Sequence, residues 1–368
     1  MIAAVSGDAD APKAGGGDGQ APITAADVAA QTGGRLIGNP DAAVHRIAPL
    51  DRAGLTDLSF LSHARYMAWF ATSRAGVVLV TPEYEGAPGT PATRIVVEKP
   101  IESMIPLLAR FQRREPRAAG VHATAVVAPT ARLGAGVTVD AYAVIGEDAV
   151  IGDGSWIGVG AAVGAGSMVG RDVRLHPHAV VYPFAELGDR VVLHAGAQVG
   201  REGFGFVPRP DGVVRIPHIG RCVLEHDVEI GANSCVDRGS IDDTIIGAGT
   251  KIDSLVQIGH NVRMGRFCFV ASQAGVAGSS RIEDGVQLGG QAGVGGHLTI
   301  GAKATVAAQA GVIGDIPGGE VWSGYPARPH RDQLRAYAAI ARLAQLIRPL
   351  ERLLTRDPPQ DQSMGAGS

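Results

Sequence analysis

Two residues of this chain, His260 and Gly278, have types and a spacing that could do chemistry together. They are 18 residues apart, which is three times a six-residue repeat present in this region. If three hexapeptides form one coil, residues 18 apart lie on adjacent coils about 4.8 Å apart. An imidazole beside a backbone N–H would then pair a general base with an oxyanion donor. Spacing alone also leaves open a solvent-facing corner histidine and an ordinary turn glycine.

Two further polar residues belong to the same pattern. Asp253 lies seven residues before His260, on the previous face, where a carboxylate could orient the imidazole and set its tautomer. His297 lies 37 residues after His260, two coils up and one place along. A solvated or loop-capping role for Asp253 and a surface position for His297 remain open at this point.

The element that must position these residues is visible as a period of six. Every sixth residue is aliphatic from Val127 to Val199, and the register resumes from Ile246 to Val312. Neither an α-helix, with a period near 3.6, nor an alternating strand gives this repeat. A hexapeptide array is typical of a parallel β-helix, with the aliphatic residue pointing inward and small residues turning the corners.

The repeat and its surroundings predict a mainly β protein in five segments. They are a disordered extension (1–20), a small α/β domain (21–118), a parallel β-helix (119–325), a C-terminal helical segment (326–356) and a disordered tail (357–368). The repeat is interrupted at Arg201–Pro217 and around Arg238–Thr244, and insertions into a solenoid map to loops on one side. In the C-terminal helix, Pro349 predicts a kink or an early end.

Composition excludes several classes of function. A net charge of −3 provides no basic field, so nucleic acid is not an expected partner. No apolar run reaches about 18 residues, so no transmembrane segment is expected. The first residues lack the pattern of an export signal, and the three scattered cysteines are typical of a reducing compartment. We therefore expect a cytoplasmic protein.

A second histidine set raises a metal alternative. His176 and His194 are also 18 apart and should stack, whereas His178 points a different way along its strand. A zinc lyase resembling the γ-type carbonic anhydrases would need at least three protein ligands, and the third is missing from the pattern. We predict no metal site; a histidine ladder at the surface or at a subunit contact is the other interpretation.

Several stretches resemble a known family, the UDP-3-O-acylglucosamine N-acyltransferases of lipid A biosynthesis. The similarity runs from about residue 22 to 340 and includes the α/β domain that precedes the repeats. The most specific stretches are Gly203-Phe204-Gly205-Phe206, Val236-Asp237-Arg238-Gly239, Asp242 to Gly247 and Gln257 to Val262. The resemblance implies a left-handed β-helix and a homotrimer with active sites between subunits.

The resemblance also implies a reaction and roles for the residues above. The donor would be a 3-hydroxyacyl thioester on acyl carrier protein, and the acceptor the 2-amine of UDP-3-O-(3-hydroxyacyl)glucosamine. His260 takes the place of the general base, Gly278 that of the oxyanion donor, and Asp253 that of the carboxylate supporting the histidine. His297 would position substrate. No tightly bound cofactor is implied, because the carrier's phosphopantetheine delivers the acyl group.

The same resemblance implies a nucleotide site in the α/β domain. Phe60 and Tyr66 match the aromatics that bracket uracil, and aromatic faces suit a planar base. His63 stands where the family commonly has Asn. In the Gly-Phe-Gly loop, Glu202 replaces the usual Asp and Phe204 is a further substrate contact. Without the resemblance, core packing of a small domain would be the simpler interpretation of Phe60 and Tyr66.

Three alternatives remain open beside this function. Another hexapeptide O- or N-acyltransferase could act on a nucleotide sugar, a zinc lyase could use His176 and His194, and a solenoid could be a non-catalytic scaffold. The basic residues Arg331, Arg335 and Arg342 of the C-terminal helix would suit an acidic partner such as acyl carrier protein.

Overall fold

The computed structural model describes residues 21–112 and 117–354. The segments predicted to be disordered, 1–20 and 357–368, lie outside the described residues. The chain divides into two compact units, Met1–Pro116 and Arg117–Ser368. The fold class is confirmed: a small α/β domain, a left-handed parallel β-helix and a C-terminal helix.

The first unit is a five-stranded sheet with helices on its faces. Its strands and helices are Ile23–Thr24 (β1), Ala25–Thr32 (α1), Arg35–Ile37 (β2), Ala43–Val44 (β3), Arg46–Ile47 (β4), Asp57–Leu61 (β5), Met67–Thr72 (α2), Val77–Val80 (β6), Thr93–Val96 (β7) and Pro100–Phe111 (α3). The sheet order is β2-β7-β6-β5-β4, parallel except for β2, and β1 pairs with β3. Strand β6 is fully buried because side chains pack on both faces of the sheet.

Local sequence signals explain how the helices of this unit begin. Thr24 and Asp27 form a reciprocal capping box at the start of α1, which satisfies backbone N–H groups of the first turn. Gly33 ends α1 with a φ of 65°, a conformation that costs glycine little. Helix α3 begins at Pro100, whose missing N–H is not needed in the first turn. Both starts depend on signals that are local in the sequence.

The second unit is a triangular solenoid of two- to four-residue strands in three parallel sheets. The first sheet contains Gly120–Val121, Thr138–Val139, Trp156–Ile157, Arg174–Leu175, Val192–Leu193, Glu229–Ile230, Lys251–Ile252, Phe269–Val270, Gln287–Leu288, Thr305–Val306, Val321–Ser323 and the antiparallel Arg328–Pro329. The second sheet contains Val126–Val127, Val144–Ile145, Ala162–Val163, Val180–Val181, Gln198–Arg201, Cys235–Asp237, Gln257–Ile258, Gly275–Val276, Gly293–Val294 and Gly311–Val312. The third sheet contains Arg132–Leu133, Val150–Ile151, Met168–Val169, Glu186–Leu187, Cys222–Leu224, Thr244–Ile246, Arg263–Met264, Arg281–Ile282 and Thr299–Ile300.

The six-residue period corresponds to one inward side chain per strand. Ile145, Ile151 and Ile157 lie on three consecutive faces and are each at most 1% exposed. Strands of one sheet pair in an 18-residue register, as Ile258 does with Val276. The coils therefore stack as the repeat predicts, and their aliphatic residues form one continuous core.

Both interruptions of the repeat are insertions that change the spacing between coils. The first contains an antiparallel hairpin, Phe206–Arg209 with Gly212–Arg215, and stretches the register so that Glu186 pairs with Val223. The second stretches the next register, so that Val236 pairs with Ile258, 22 residues later. Both insertions contribute residues to the surroundings of His260, described below.

The solenoid is followed by a helix, His330–Leu354 (α4). Pro349 lies inside α4, so the early end that it predicted is wrong and the helix continues for another turn. Within the described residues, no helix combines the length and the apolar character that crossing a bilayer requires.

Candidate active site

His260 lies at a corner of the solenoid, between the second-sheet strand Gln257–Ile258 and the third-sheet strand Arg263–Met264. Its side chain is half-buried. Nδ1 of His260 is 2.9 Å from Oδ1 of Asn261, the next residue along the chain. Because an amide oxygen can only accept, Nδ1 must carry the proton. The neutral imidazole therefore has its lone pair on Nε2, as a general base requires.

The orientation of Asn261 is fixed by the second interruption of the repeat. Its Nδ2 donates to the carbonyl of Asp242 at 2.9 Å, so the other amide atom is the oxygen. That oxygen also accepts from the N–H and hydroxyl of Ser240. Asn261 itself has a φ of 60°, which Asn tolerates better than most residues, and its N–H donates to Oγ1 of Thr244. The insertion therefore sets the tautomer of His260 through Asn261.

Gly278 lies directly against the imidazole on the next coil. A Cβ added to Gly278 would stand 2.8 Å from both Cε1 and Nε2 of His260, so the ring occupies the space of the missing side chain. The N–H of Ser279 donates to the His260 carbonyl at 2.8 Å and ties the two corners together. Among the described residues, no backbone carbonyl accepts from the Gly278 N–H. His260 and Gly278, which the 18-residue spacing places on adjacent coils, are therefore in contact.

His297 lies at the corresponding corner of the next coil, after the coil that contains Gly278. Its N–H donates to the Gly278 carbonyl at 3.2 Å, and its side chain is exposed. With a φ of 60°, His297 occupies the left-handed corner position, one place along from the position of His260 and Gly278. The structure thus places His297 above the pair, with its imidazole open to solvent.

Asp253 does not contact His260 within one chain. It lies at a different corner, between the first-sheet strand Lys251–Ile252 and the second-sheet strand Gln257–Ile258, and its Oδ1 accepts from the N–H of Ser254. Its side chain lines an open cleft of about 760 Å³ on the first sheet, and His260 is not among the lining residues. Asn261, rather than Asp253, is therefore the partner of His260 Nδ1 inside the chain.

Two buried polar residues near His260 were missed by the sequence analysis. The His218 ring meets the His260 ring edge-to-face, with centroids 5.0 Å apart. Asp237 is 2% exposed, and burial raises the pKa of its carboxyl against the opposing influence of Arg201, Gln257, His260 and His218. Nε of Arg201 is 2.9 Å from Oδ1 of Asp237, but outside hydrogen-bond geometry.

The Gly-Phe-Gly loop covers His218 and carries two of the predicted substrate contacts. Glu202 pairs with Arg215 of the hairpin at 3.3 Å, and Arg215 also donates to the Gly203 carbonyl at 3.4 Å. Phe204 is 81% exposed and meets Phe206 edge-to-face, with centroids 5.0 Å apart. The hairpin therefore anchors the loop and leaves the Phe204 ring available for contact.

The predicted uracil contacts lie at the end of β5 and in the short 3-10 turn Ala64–Tyr66 that follows. Phe60 is half-buried against the cluster of α1 and α3, whereas Tyr66 packs against the cluster on the other face of the sheet. The Tyr66 ring stacks on Trp69 at 5.5 Å, and Arg65 lies over it. Nδ1 of His63 accepts from the Arg65 N–H, which leaves Nε2 of His63 outside this bond.

The stacked histidines of the first sheet show no metal centre. His176 lies on His194 with ring centroids 4.9 Å apart, and Nε2 of His194 is 2.7 Å from Oε1 of Glu229. Burial, followed by the charge of His194, lowers the pKa of His176. Among residues 21–112 and 117–354, no three His, Cys, Asp or Glu side chains are grouped to hold a metal ion.

Comparison with family models gives two matches. Residues 41–110 match the model described as UDP-3-O-(3-hydroxymyristoyl) glucosamine N-acyltransferase, LpxD. Residues 148–181 match the bacterial transferase hexapeptide model of six repeats. The first match falls in the α/β unit and the second in the solenoid.

Curated relatives are similar over most of the chain. The UDP-3-O-acylglucosamine N-acyltransferase 2 of Rhodopseudomonas palustris is 40% identical over 330 residues, 88% of each chain. The UDP-3-O-acylglucosamine N-acyltransferase of Azorhizobium caulinodans is 43% identical over 88% of this chain and 93% of its own. The UDP-3-O-acylglucosamine N-acyltransferase of Methylorubrum extorquens strain PA1 is 42% identical over 83% of this chain and 89% of its own.

Solved structures resemble the chain more distantly. The UDP-N-acetylglucosamine acyltransferase of Campylobacter jejuni is 22% identical, with a TM-score of 0.43, over 57% of this chain and 74% of that one. A second structure described as UDP-N-acetylglucosamine acyltransferase is 19% identical, with a TM-score of 0.46, over 65% of this chain and 85% of that one.

Proposed function

The chain belongs to the family of UDP-3-O-acylglucosamine N-acyltransferases, acyltransferases of lipid A biosynthesis, and from this premise we propose its substrates and catalytic residues. The donor is a 3-hydroxyacyl thioester on the phosphopantetheine of acyl carrier protein. The acceptor is the 2-amine of UDP-3-O-(3-hydroxyacyl)glucosamine. The observation that carries the proposal is the contact of His260 with Gly278, because it places the Nε2 lone pair beside the backbone of Gly278.

The reaction forms a C–N bond and breaks a C–S bond. The amine nitrogen attacks the thioester carbonyl, and Nε2 of His260 takes one of its protons during the attack. The carbonyl oxygen becomes an oxyanion, which the Gly278 N–H stabilises. Collapse of the tetrahedral intermediate expels the phosphopantetheine sulfur, which takes the proton from His260 and leaves as a thiol. An imidazole suits this exchange because its unperturbed pKa is near neutral pH.

The surrounding residues bind rather than react in this proposal. Phe60 and Tyr66 contact the uracil, His63 offers its Nε2 to the edge of the base, and His297, Glu202 and Phe204 contact substrate near the transfer site. The exposed Arg331, Arg335 and Arg342 of α4 suit the acidic surface of a carrier protein. No tightly bound cofactor takes part. The enzyme acts in the cytoplasm, where the carrier protein is loaded with its acyl group.

The acyl-transfer reaction is tested by supplying a panel of 3-hydroxyacyl carrier proteins with the O-acylated UDP-sugar. We expect one acyl chain per sugar in amide linkage, stable to mild alkali, when the product is analysed by mass spectrometry. Transfer from acyl-CoA with the carrier protein inert, or an alkali-labile ester product, would contradict the proposed donor or acceptor.

Removing the Tyr66 ring should weaken nucleotide binding without changing the chemical step. Stacking on a base contributes about 1–3 kcal/mol, so Tyr66→Ala should raise KM for the UDP-sugar about 5- to 150-fold while kcat stays near the wild-type value. The measurement is steady-state kinetics at saturating acyl carrier protein. Tyr66→Phe keeps the ring and should keep the wild-type KM; an unchanged KM in Tyr66→Ala would remove Tyr66 from the site.

We infer that Asp253 supports His260 from another subunit, because Asp253 lies at a different corner from His260 in the same chain. Active sites between the subunits of a homotrimer would bring the Asp253 of one chain to the His260 of its neighbour. Such a site is heterologous: each interface takes one residue from each partner.

Mixed trimers test this arrangement. Asp253→Ala and His260→Ala subunits should each have low activity alone, whereas trimers reassembled from an equal mixture should regain activity at about a quarter of their interfaces. Only an interface with His260 from one chain and Asp253 from the other is intact. If the mixture is no more active than its parts, then the two residues do not act across an interface.

A further inference from the structure

The His218 side chain is the most unusual buried group near His260. It follows the hairpin in the chain and is 4% exposed, although no strand of the solenoid contains it. Its ring meets the His260 ring at an interplanar angle of 74° with centroids 5.0 Å apart. A buried histidine packed on the proposed general base is in a position to affect how that base works.

Hydrogen bonding fixes the tautomer of His218. Nδ1 is 2.8 Å from the carbonyl oxygen of Ile216, and because that oxygen can only accept, Nδ1 carries the proton. Nε2 of the neutral ring therefore has a lone pair, and this nitrogen is buried without a hydrogen-bond partner among the described residues. Burying an unpaired acceptor is unfavourable for stability, and an apolar ring would fill the same space without that cost.

Two glycines leave room for this ring. A Cβ on Gly203 would stand 2.9 Å from Nε2 of His218 and 2.9 Å from Cβ of His260, so both atoms border the same space beside Gly203. A Cβ on Gly205 would stand 2.7 Å from Cε1 of His218. The two glycines of the Gly-Phe-Gly loop thus permit a contact between the two histidines that any side chain there would disturb.

We propose that His218 is a positioning residue for acyl transfer, which holds the His260 ring and favours its imidazolium form through the unpaired Nε2. The inference rests on the proposed function, in which His260 takes a proton from the acceptor amine. A positive charge then spreads over the His260 ring, and a buried lone pair beside that ring stabilises it more strongly than water-exposed dipoles would. The cost of the unpaired nitrogen in the resting enzyme is offset in the transition state, where it lowers the barrier.

Other charges act on the same ring. Asp237 is buried nearby and its carboxylate would favour the imidazolium, whereas Arg201 beside Asp237 opposes it. Glu202 and Arg215 pair with each other at the rim of the loop, so their opposite charges largely cancel. His297 lies on the coil above Gly278 with its side chain exposed to solvent. The variants of His218 should therefore be compared with these residues left unchanged.

Three substitutions separate the functions of the two ring nitrogens. His218→Gln places an amide acceptor near the position of Nε2, His218→Asn places an amide near that of Nδ1, and His218→Phe keeps only the ring. We expect His218→Gln to stay near wild-type kcat. His218→Asn and His218→Phe should lose about tenfold or more in kcat with little change in KM, the scale of one lost hydrogen-bond-sized interaction.

The pH profile distinguishes this role from simple packing. A lone pair on Nε2 of His218 favours the protonated form of His260, which cannot act as the base. Its removal in His218→Phe should move the acid limb of kcat/KM to lower pH, whereas His218→Gln should not. The same displacement should appear in an NMR titration of the His260 ring signals, which needs no turnover.

Several outcomes would overturn the inference. A wild-type kcat and acid limb in His218→Phe would show that the lone pair has no effect. Full activity in His218→Asn with loss in His218→Gln would assign only a structural bond to Ile216. Circular dichroism melting of each variant identifies loss through unfolding. Should His260→Ala itself remain active, the proposed function fails, while the NMR titration still reports whether His218 acts on His260.

Discussion

Replacing His260 by alanine should lower kcat by about 10²–10⁴-fold, the usual contribution of a general base. The amine would lose its proton acceptor at the moment of attack, while the Gly278 N–H and the bound substrates would remain. KM for both substrates should change little, because His260 is assigned to the chemical step rather than to binding. Single-turnover transfer of a radiolabelled 3-hydroxyacyl group from the carrier to the UDP-sugar measures the loss.

A matched control for His260→Ala is His178→Ala. His178 is an exposed histidine with a φ of 60° at a corner of an earlier coil, one place further along its corner than His260 is along its own, so its replacement removes the same side chain away from the proposed site. We expect His178→Ala to keep wild-type turnover and both variants to keep the wild-type elution volume in size-exclusion chromatography. Turnover within tenfold of wild type in folded His260→Ala would remove His260 from the mechanism.

Adding one methyl group at Gly278 should be nearly as damaging as removing the base. The Cβ of Gly278→Ala would stand 2.8 Å from Cε1 and Nε2 of His260, closer than carbon and nitrogen atoms can approach, so the imidazole must move away. The same methyl group would obstruct the space where the oxyanion meets the Gly278 N–H. We expect kcat to fall by about 10²–10³-fold, the scale of one lost oxyanion donor.

Gly314→Ala provides the comparison for Gly278→Ala. Gly314 lies 36 residues later at the equivalent corner position, two places after the inward Val312, and no atom lies within 4 Å of its added Cβ. Its replacement should leave both kcat and the melting temperature unchanged. Equal losses in the two variants would indicate a general effect on the corners, and an active Gly278→Ala would exclude the assigned contact.

The architecture of the solenoid could be predicted from the sequence because every face needs one inward-pointing aliphatic residue. An inward aliphatic residue every six positions specifies where each strand lies, and the 18-residue register follows from three faces per coil. The contact of His260 with Gly278 could be predicted for the same reason, since the repeat is unbroken between them. Helix α1 was also predictable, because its capping box is local in sequence.

The other neighbours of His260 could not be found by the same rule. The residue 18 positions before His260 is Asp242. The insertion at Arg238–Thr244 lengthens the spacing between these two coils to 22 residues, so Arg238 lies at the position below His260 and Asp237 is the residue before it. His218 lies outside every strand, so no period applies to it. Asn261 was visible as the residue after His260, but its role depends on bonds to Ser240 and Asp242 that only the folded insertion supplies.

The stacking of the His260 and Gly278 corners on adjacent coils limits where this protein can change in length. A whole coil gained or lost beyond the coil of His297 leaves the corners of His260, Gly278 and His297 as neighbours, so that end can change in length without disturbing them. One residue gained or lost between positions 260 and 278 would instead have to be absorbed at a corner, because otherwise the next inward residues would turn to the wrong side of their strands. Natural insertions and deletions should therefore be absent from that interval and common at the hairpin that begins near Phe206.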